Sequence, residues 1–166
     1  SIGRLFDAAS ILSGWRGQNQ YEGEAAMWLE ARARKYVEKN GFPESPTWAW
    51  KDDMWDPSPV LEQVFADAQR GETDLAAARF HSALVQLALD ISERFNVKTL
   101  GFSGGVFQNQ ILVKGLLEKL ENKLPLLWHK EFSPNDECIS LGQLASVYFG
   151  KKQYSLEESL LAEENY

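Results

Sequence analysis

The sequence predicts an α/β fold in which a mostly parallel sheet is flanked by helices. Three observations carry that expectation. The second half of the chain alternates helix-like and strand-like patterns in the order αβαβα, which favours parallel strands with helices packed on them. The first of these strands, Val97 to Phe102, runs into a Ser-Gly-Gly turn, and a helical pattern follows. The second, Leu124 to His129, runs into the polar corner Ser133-Pro-Asn-Asp136. In sheets of this kind ligands sit beyond the carboxyl ends of the strands, so both corners lie where a site is expected.

Taken in order, residues 4–14 place Leu5, Phe6, Ala9 and Leu12 on one helical face, with Gly14 as the stop. Gly17 to Gly23 reads as a polar loop. A second helix spans Glu24 to about Lys39 on the spacing of Ala25, Leu29, Ala33, Tyr36 and Val37, and Asn40-Gly41 ends it. Residues 42–58 are rich in proline and tryptophan, and the alternation in Thr47-Trp-Ala-Trp50 suggests a short hairpin. Ser58-Pro59 reads as an N-cap with proline at the first helical position, opening a helix to about Arg70. The clearest helix runs from Thr73 to Phe95, with Phe80, Leu84, Leu87, Ala88, Ile91 and Phe95 on one stripe and Thr73 as its cap. Strand 97–102, helix 109–122, strand 124–129 and helix 140–149 complete the fold. The tail from Lys151 to Tyr166 holds two Glu-Glu pairs and reads as an exposed acidic helix.

Composition narrows the function classes. The 166 residues, 44% apolar and 12% aromatic, fit one domain with a real core. A formal charge of −7 argues against unspecific binding to nucleic acid or an anionic membrane, which need a basic surface. The single cysteine, Cys138, excludes an internal disulfide framework and suits a reducing cytoplasm. No apolar run approaches the roughly 20 residues of a membrane span. The chain begins without Met and already inside an apolar pattern, so it reads as a piece of something larger.

The residues taken alone leave their roles open. A strand, a glycine turn and a helix can bring backbone N–H groups against a phosphate, but Gly104-Gly105 equally suits plain turn chemistry. Asp7 reads as a solvated carboxylate, Asn109 as an N-cap, and Asp136 as a cap or a metal ligand. His81, beside Phe80 on the helical stripe, reads as a satisfied core histidine. His129 lies near the second corner but reads as a surface residue. Cys138 has no nearby lysine or histidine in sequence to lower its pKa and reads as an ordinary thiol. Trp48, Trp50 and Trp55 suit packing under a long loop more than a partner-binding patch.

Six segments occur together in order: Gly3-Arg-Leu-Phe-Asp-Ala-Ala9, Tyr21-Glu-Gly-Glu-Ala-Ala-Met27, Ala78-Arg-Phe-His81, Ser103-Gly-Gly-Val-Phe-Gln-Asn109, Pro134-Asn-Asp136 and Leu141-Gly-Gln143. On these the chain resembles, over residues 1–150, the C-terminal lobe of HypF-type carbamoyltransferases of hydrogenase maturation. Those are related to TsaD-type threonylcarbamoyl transferases of the actin/sugar-kinase superfamily. Residues 151–166 remain as an acidic tail outside the resemblance.

The resemblance implies a nucleotide-binding lobe of an enzyme that passes a carbamoyl group from carbamoyl-adenylate, made from carbamoyl phosphate and ATP, to the C-terminal cysteine of HypE. The product is the source of the cyanide ligands of nickel–iron hydrogenase. It implies that Asp7, Gly23 and Glu24 contact the ribose side of the nucleotide, and that Gly104, Gly105 and Asn109 line adenine and phosphate. Asp136 would be one ligand of a divalent metal (Fe, Mg or Zn), the others coming from a first lobe that this chain lacks. The expected partners are a HypE-like acceptor and the missing lobe and domains, and a fragment alone is expected to be inactive. Where the family continues Asn-Asp with Gly-Gly, this chain carries Glu137-Cys138. Two other readings stand beside this one: an O-carbamoyltransferase acting on a small molecule, and a non-catalytic module docking through the tryptophan loop and the acidic tail.

Overall fold

The computed structural model describes residues 1–52 and 54–150; the expected acidic tail lies outside the described residues. Its elements are α1 (Ile2–Leu12), α2 (Glu24–Asn40), a hairpin of β1 (Ala49–Lys51) and β2 (Met54–Asp56), α3 (Ser58–Gln69), α4 (Thr73–Arg94), β3 (Leu100–Phe102), a 3-10 turn (Gly105–Gln108), α5 (Gln110–Leu120), β4 (Leu126–Trp128) and a second 3-10 turn (Asp136–Cys138). A last helix, α6, occupies 139–150.

The long helix α4 is the axis of the core. Ala76, Ala77 and Ala78 are buried in succession, and Phe80, Ala83, Leu84, Val85, Leu87 and Leu89 continue the burial on several sides. A helix that is apolar nearly all round must be enclosed, and α2, α3 and α5 enclose this one. Leu29 and Ala33 of α2, Val60 and Val64 of α3, and Leu116 and Leu120 of α5 close the cluster. Each fully buried Leu or Phe contributes about 2 kcal/mol through lost apolar exposure. Gly115 lets α5 approach α4: a Cβ there would lie 2.7 Å from Val85 Cγ2 and 3.0 Å from Phe42 Cζ.

One carboxylate at the α3–α4 corner is also enclosed. Asp67 is fully buried and accepts from Arg70, from Arg79 and from Gln63 Nε2, the last at 2.9 Å. Two guanidiniums against one buried carboxylate offset its desolvation and pin the turn between the helices. The arginine of the Ala78-Arg-Phe-His81 segment is thereby a structural residue.

β3 and β4 pair in parallel, with Phe102 opposite Trp128 and their rings stacked at 4.4 Å. The parallel pair agrees with expectation, although both strands are shorter than the sequence suggests. The Leu124 N–H turns back to Leu120 O at 3.2 Å, and Pro125 has no N–H to pair, so β4 begins only at Leu126. Asn96, at φ +47°, bends the chain after α4, and β3 begins at Leu100.

Four further expectations are corrected. Ser58 is inside α3, and Asp56 Oδ1 accepts from both its N–H and its hydroxyl. Thr73 is likewise the first helical residue of α4, with Glu72 at the cap and no side-chain cap bond. Phe95 lies past the end of α4 and is 54% exposed, because the helix stops before the stripe returns to the core. Asn135, not Asp136, caps the last corner: its Oδ1 accepts from the Glu137 N–H.

The tryptophan loop packs inward. Trp48 is buried and donates from Nε1 to Ala83 O at 2.6 Å, Trp55 meets it edge-on, and Arg94 lies over the Trp50 ring at 4.8 Å. The hairpin is therefore a lid on α4, as the packing reading of these tryptophans expects.

Candidate functional site

The two corners expected at the strand ends meet. Gly104 donates its N–H to Pro134 O at 2.6 Å, and Gln108 Nε2 donates to Ser133 Oγ at 3.3 Å. Ser103 Oγ and His129 Nε2 lie 2.9 Å apart, tying the residue after β3 to the residue after β4. Cys138 donates from Sγ to Ser133 O, closing the second corner on itself. Gly104 has φ +110° and ψ +156°, a conformation essentially restricted to glycine. The chain then passes through the 3-10 turn before α5, rather than entering the helix directly.

Asn109 is the N-cap of α5 and is buried. Its Oδ1 accepts from the Leu112 N–H at 2.9 Å, and its Nδ2 faces His81 Nε2 at 2.9 Å. His81 is fully buried on α4, with Nδ1 at 2.8 Å from Ala77 O. A carbonyl only accepts, so Nδ1 carries the proton and Nε2 accepts from Asn109. Burial pushes the His81 pKa down to about 4, so the ring is neutral at pH 7. This matches the reading of His81 as a satisfied core histidine. Sequence reasoning missed its bond to Asn109; the adjacent Phe80 on the buried stripe was the available signal.

Asp7 lies on α1, at the other side of this link. It lines an open cleft of about 360 Å³ together with Ile11, Trp15, Arg16, Asn19 and Ala25. Its ion pair to Arg4, at 3.7 Å, is exposed. Gly23 is the N-cap of α2 at φ +82°, and Glu24 Oε2 accepts from the Gln20 N–H at 2.7 Å, holding the 20–23 turn. Ser10 Oγ lies 2.6 Å from Phe6 O and 2.9 Å from Ala25 O, fastening α1 to the start of α2.

The predicted residues thus fall into two groups. Asp7, Gly23 and Glu24 belong to the α1–α2 end, while Gly104, Gly105, Asn109 and Asp136 belong to the strand ends. A second cleft, about 490 Å³, runs along Phe107 and Gln108 of the first 3-10 turn and Val113 and Leu117 of α5. None of the strand-end group lines either of these two clefts. The two groups are joined through the core, since the Phe6 ring meets His81 edge-on at 5.3 Å and His81 holds Asn109.

Asp136 is exposed. Among the described residues no three His, Cys, Asp or Glu side chains gather where they could hold a metal ion, so a single hard oxygen donor is what these residues offer. Glu137 and Cys138 take ordinary negative φ angles, so the corner closes here without backbone strain.

Comparison with known proteins defines the class. Residues 1–143 match the family described as carbamoyltransferase, Kae1-like domain, second subdomain. The chain belongs to this HypF-type carbamoyltransferase family. It is 32% identical over 145 residues to carbamoyltransferase HypF of Synechocystis sp., covering 87% of this chain and 19% of that protein. It is 35% identical over 153 residues to a carbamoyltransferase HypF homolog of Cupriavidus necator, covering 86% of this chain and 39% of the relative. A full-length HypF crystal structure in its phosphate- and nucleotide-bound form superposes with a TM-score of 0.71 at 32% identity, over 86% of this chain and 23% of that one. HypF of T. kodakarensis superposes at 0.72 with 25% identity, over 91% of this chain and 20% of that one. The chain therefore spans between about a fifth and two fifths of the length of these relatives. No helix among the described residues is long and apolar enough to cross a membrane.

Proposed function

We propose that this chain is the nucleotide-binding half of a carbamoyltransferase that moves a carbamoyl group from carbamoyl-adenylate to a thiol, the C-terminal cysteine of a HypE-like protein. The sulfur forms a bond to the carbamoyl carbon, the bond from that carbon to the adenylate phosphate oxygen breaks, AMP leaves, and the thiol proton passes to solvent. No side-chain nucleophile is needed from this chain, because the acceptor brings its own. Its task is to hold the adenylate so that thiol and carbonyl approach in line.

The observation that most supports this reading is the fastening of the two strand ends. Gly104 to Pro134 and Ser103 to His129 bring the glycine turn against the Asn135-Asp136 corner. That is where an open α/β sheet receives a nucleotide. Asn109 spends one amide hydrogen on His81 and keeps the other for a ligand. Asp7, a carboxylate lining its cleft, suits a ribose diol. Asp136 would be one ligand of a divalent cation completed by the first subdomain. Bound there, the cation would polarise the carbamoyl carbonyl.

Calorimetric titration with ATP and Mg²⁺ tests the reading. Asp7→Ala removes a carboxylate with little structural role and should weaken binding by tenfold or more, the effect of about 1.5–3 kcal/mol for hydrogen bonds to a charged group. Binding that Asp7→Ala leaves unchanged would remove the ribose assignment. Failure to bind in a form joined to a first subdomain would remove the nucleotide reading altogether.

A further inference from the structure

His81 is fully buried on α4, yet each of its ring nitrogens has a partner. Burial keeps the ring neutral, and Nδ1 donates to Ala77 O, so Nε2 is left as a bare acceptor. The Asn109 amide meets Nε2 with its Nδ2, while its Oδ1 accepts from the Leu112 N–H. These two bonds select one orientation of the amide. Turned over, the amide would set Oδ1 against the lone pair of Nε2 and Nδ2 against the Leu112 N–H. Both bonds would be lost in a buried place, where unmade hydrogen bonds are costly.

A helix cap alone does not call for this arrangement, because serine or aspartate caps as well as asparagine. What asparagine adds is an amide NH2 group. His81 takes one of its hydrogens, and among the described residues no acceptor takes the other. His81 also meets the Phe6 ring edge-on at 5.3 Å, and Asp7 follows Phe6 on α1. One enclosed side chain thus touches Asn109 and the neighbour of Asp7, which belong to the two separate groups of candidate ligand contacts. We infer that His81 is a positioning residue of the nucleotide site: it locks the Asn109 amide so that the remaining hydrogen is offered to an acceptor atom of the nucleotide. This role rests on the nucleotide reading proposed above, with Asn109 as a ligand contact. It means that a fully buried residue, out of reach of the ligand, sets part of the affinity.

Nitrogen-15 NMR of this chain without ligand tests the lock, and it needs no variant to fold. At pH 7 the His81 ring should carry its proton on Nδ1, with a scalar coupling across the N–H···N bond from Asn109 Nδ2 to Nε2. A proton on Nε2, or no such coupling, would overturn the inference whatever binds. Calorimetric titration with ATP and Mg²⁺, on the form joined to a first subdomain, tests the positioning, with affinities corrected for the folded fraction. His81→Asn keeps a donor where Nδ1 stood but has nothing at the place of Nε2. It should weaken binding by about fivefold or more, the worth of one ordinary hydrogen bond. His81→Gln, whose amide oxygen can stand where Nε2 stood, should restore the affinity. A merely structural histidine would lower the folded fraction in both variants and leave the affinity of the folded protein unchanged, and that result removes this role alone. A wild-type form that binds no nucleotide removes the nucleotide reading and this role with it.

Discussion

The segment from α1 to α5 and the segment from β4 onward treat their side chains in opposite ways. In the first, two titratable side chains are enclosed and paired. Asp67 is held by two arginines, and His81 is held between Ala77 and Asn109. In the second, Leu127, Phe132, Ile139, Leu144, Val147 and Phe149 are all more than half exposed. Enclosed polar groups cost energy when a partner is lost, whereas exposed apolar groups cost energy only when a cover is lost. The first segment holds nearly all of the buried core, and the second leaves most of its apolar side chains at the surface.

The comparison breaks most visibly at Asp67. Arg79→Ala should leave a fully buried carboxylate with Arg70 as its one remaining cationic partner among the described residues and destabilise the chain by about 3–5 kcal/mol, measured by urea unfolding. A loss under about 1 kcal/mol would mean that the corner is open to water.

Next comes pH. The His81 pKa is about 4 in the folded state and 6.5 in the unfolded chain, so the unfolded state binds the extra proton. Its contribution is fully present above pH 6.5 and is lost as pH falls from there toward 4, on the order of 3 kcal/mol in all. The urea midpoint should drop between pH 7 and pH 5, and His81→Gln should drop less. Equal slopes would show that His81 does not carry the effect.

Asn109→Ala removes both the α5 cap and the donor to His81 Nε2. A lost cap costs about 1 kcal/mol and an unsatisfied buried acceptor about 1–3, so a loss of about 2–3 kcal/mol is expected by the same assay. Weaker nucleotide binding in this variant is therefore no clean sign of a ligand contact, which is why Asp7→Ala is the sharper probe. At the small end, Leu144→Glu in the isolated chain should change stability by less than about 0.5 kcal/mol, since an exposed side chain has little packing to lose. A large loss would place Leu144 inside a packed unit and erase the contrast between the two segments.

Much of the frame was legible in advance because it rests on local rules. Helical spacing located α1 to α5 within a few residues, and Asn109 before an apolar run announced its cap. The Thr47–Trp50 alternation signalled the hairpin. Ser58 and Thr73 are good cap residues, but each helix starts a residue earlier, with Asp56 accepting from Ser58 and Glu72 standing at the cap position of α4. The strand lengths followed Pro125 and Asn96, whose effects depend on where the partner strand lies.

Composition and order of motifs by themselves determined the α/β class, the family and the candidate residues, because periodicity and turn chemistry act over a few neighbours. Only the tertiary structure decided which of those residues share a neighbourhood. It separated Asp7 from the strand ends, paired His81 with Asn109 across 28 positions of chain, and left α6 uncovered. Such pairings depend on how helices cross around α4, and no local spacing carries that information.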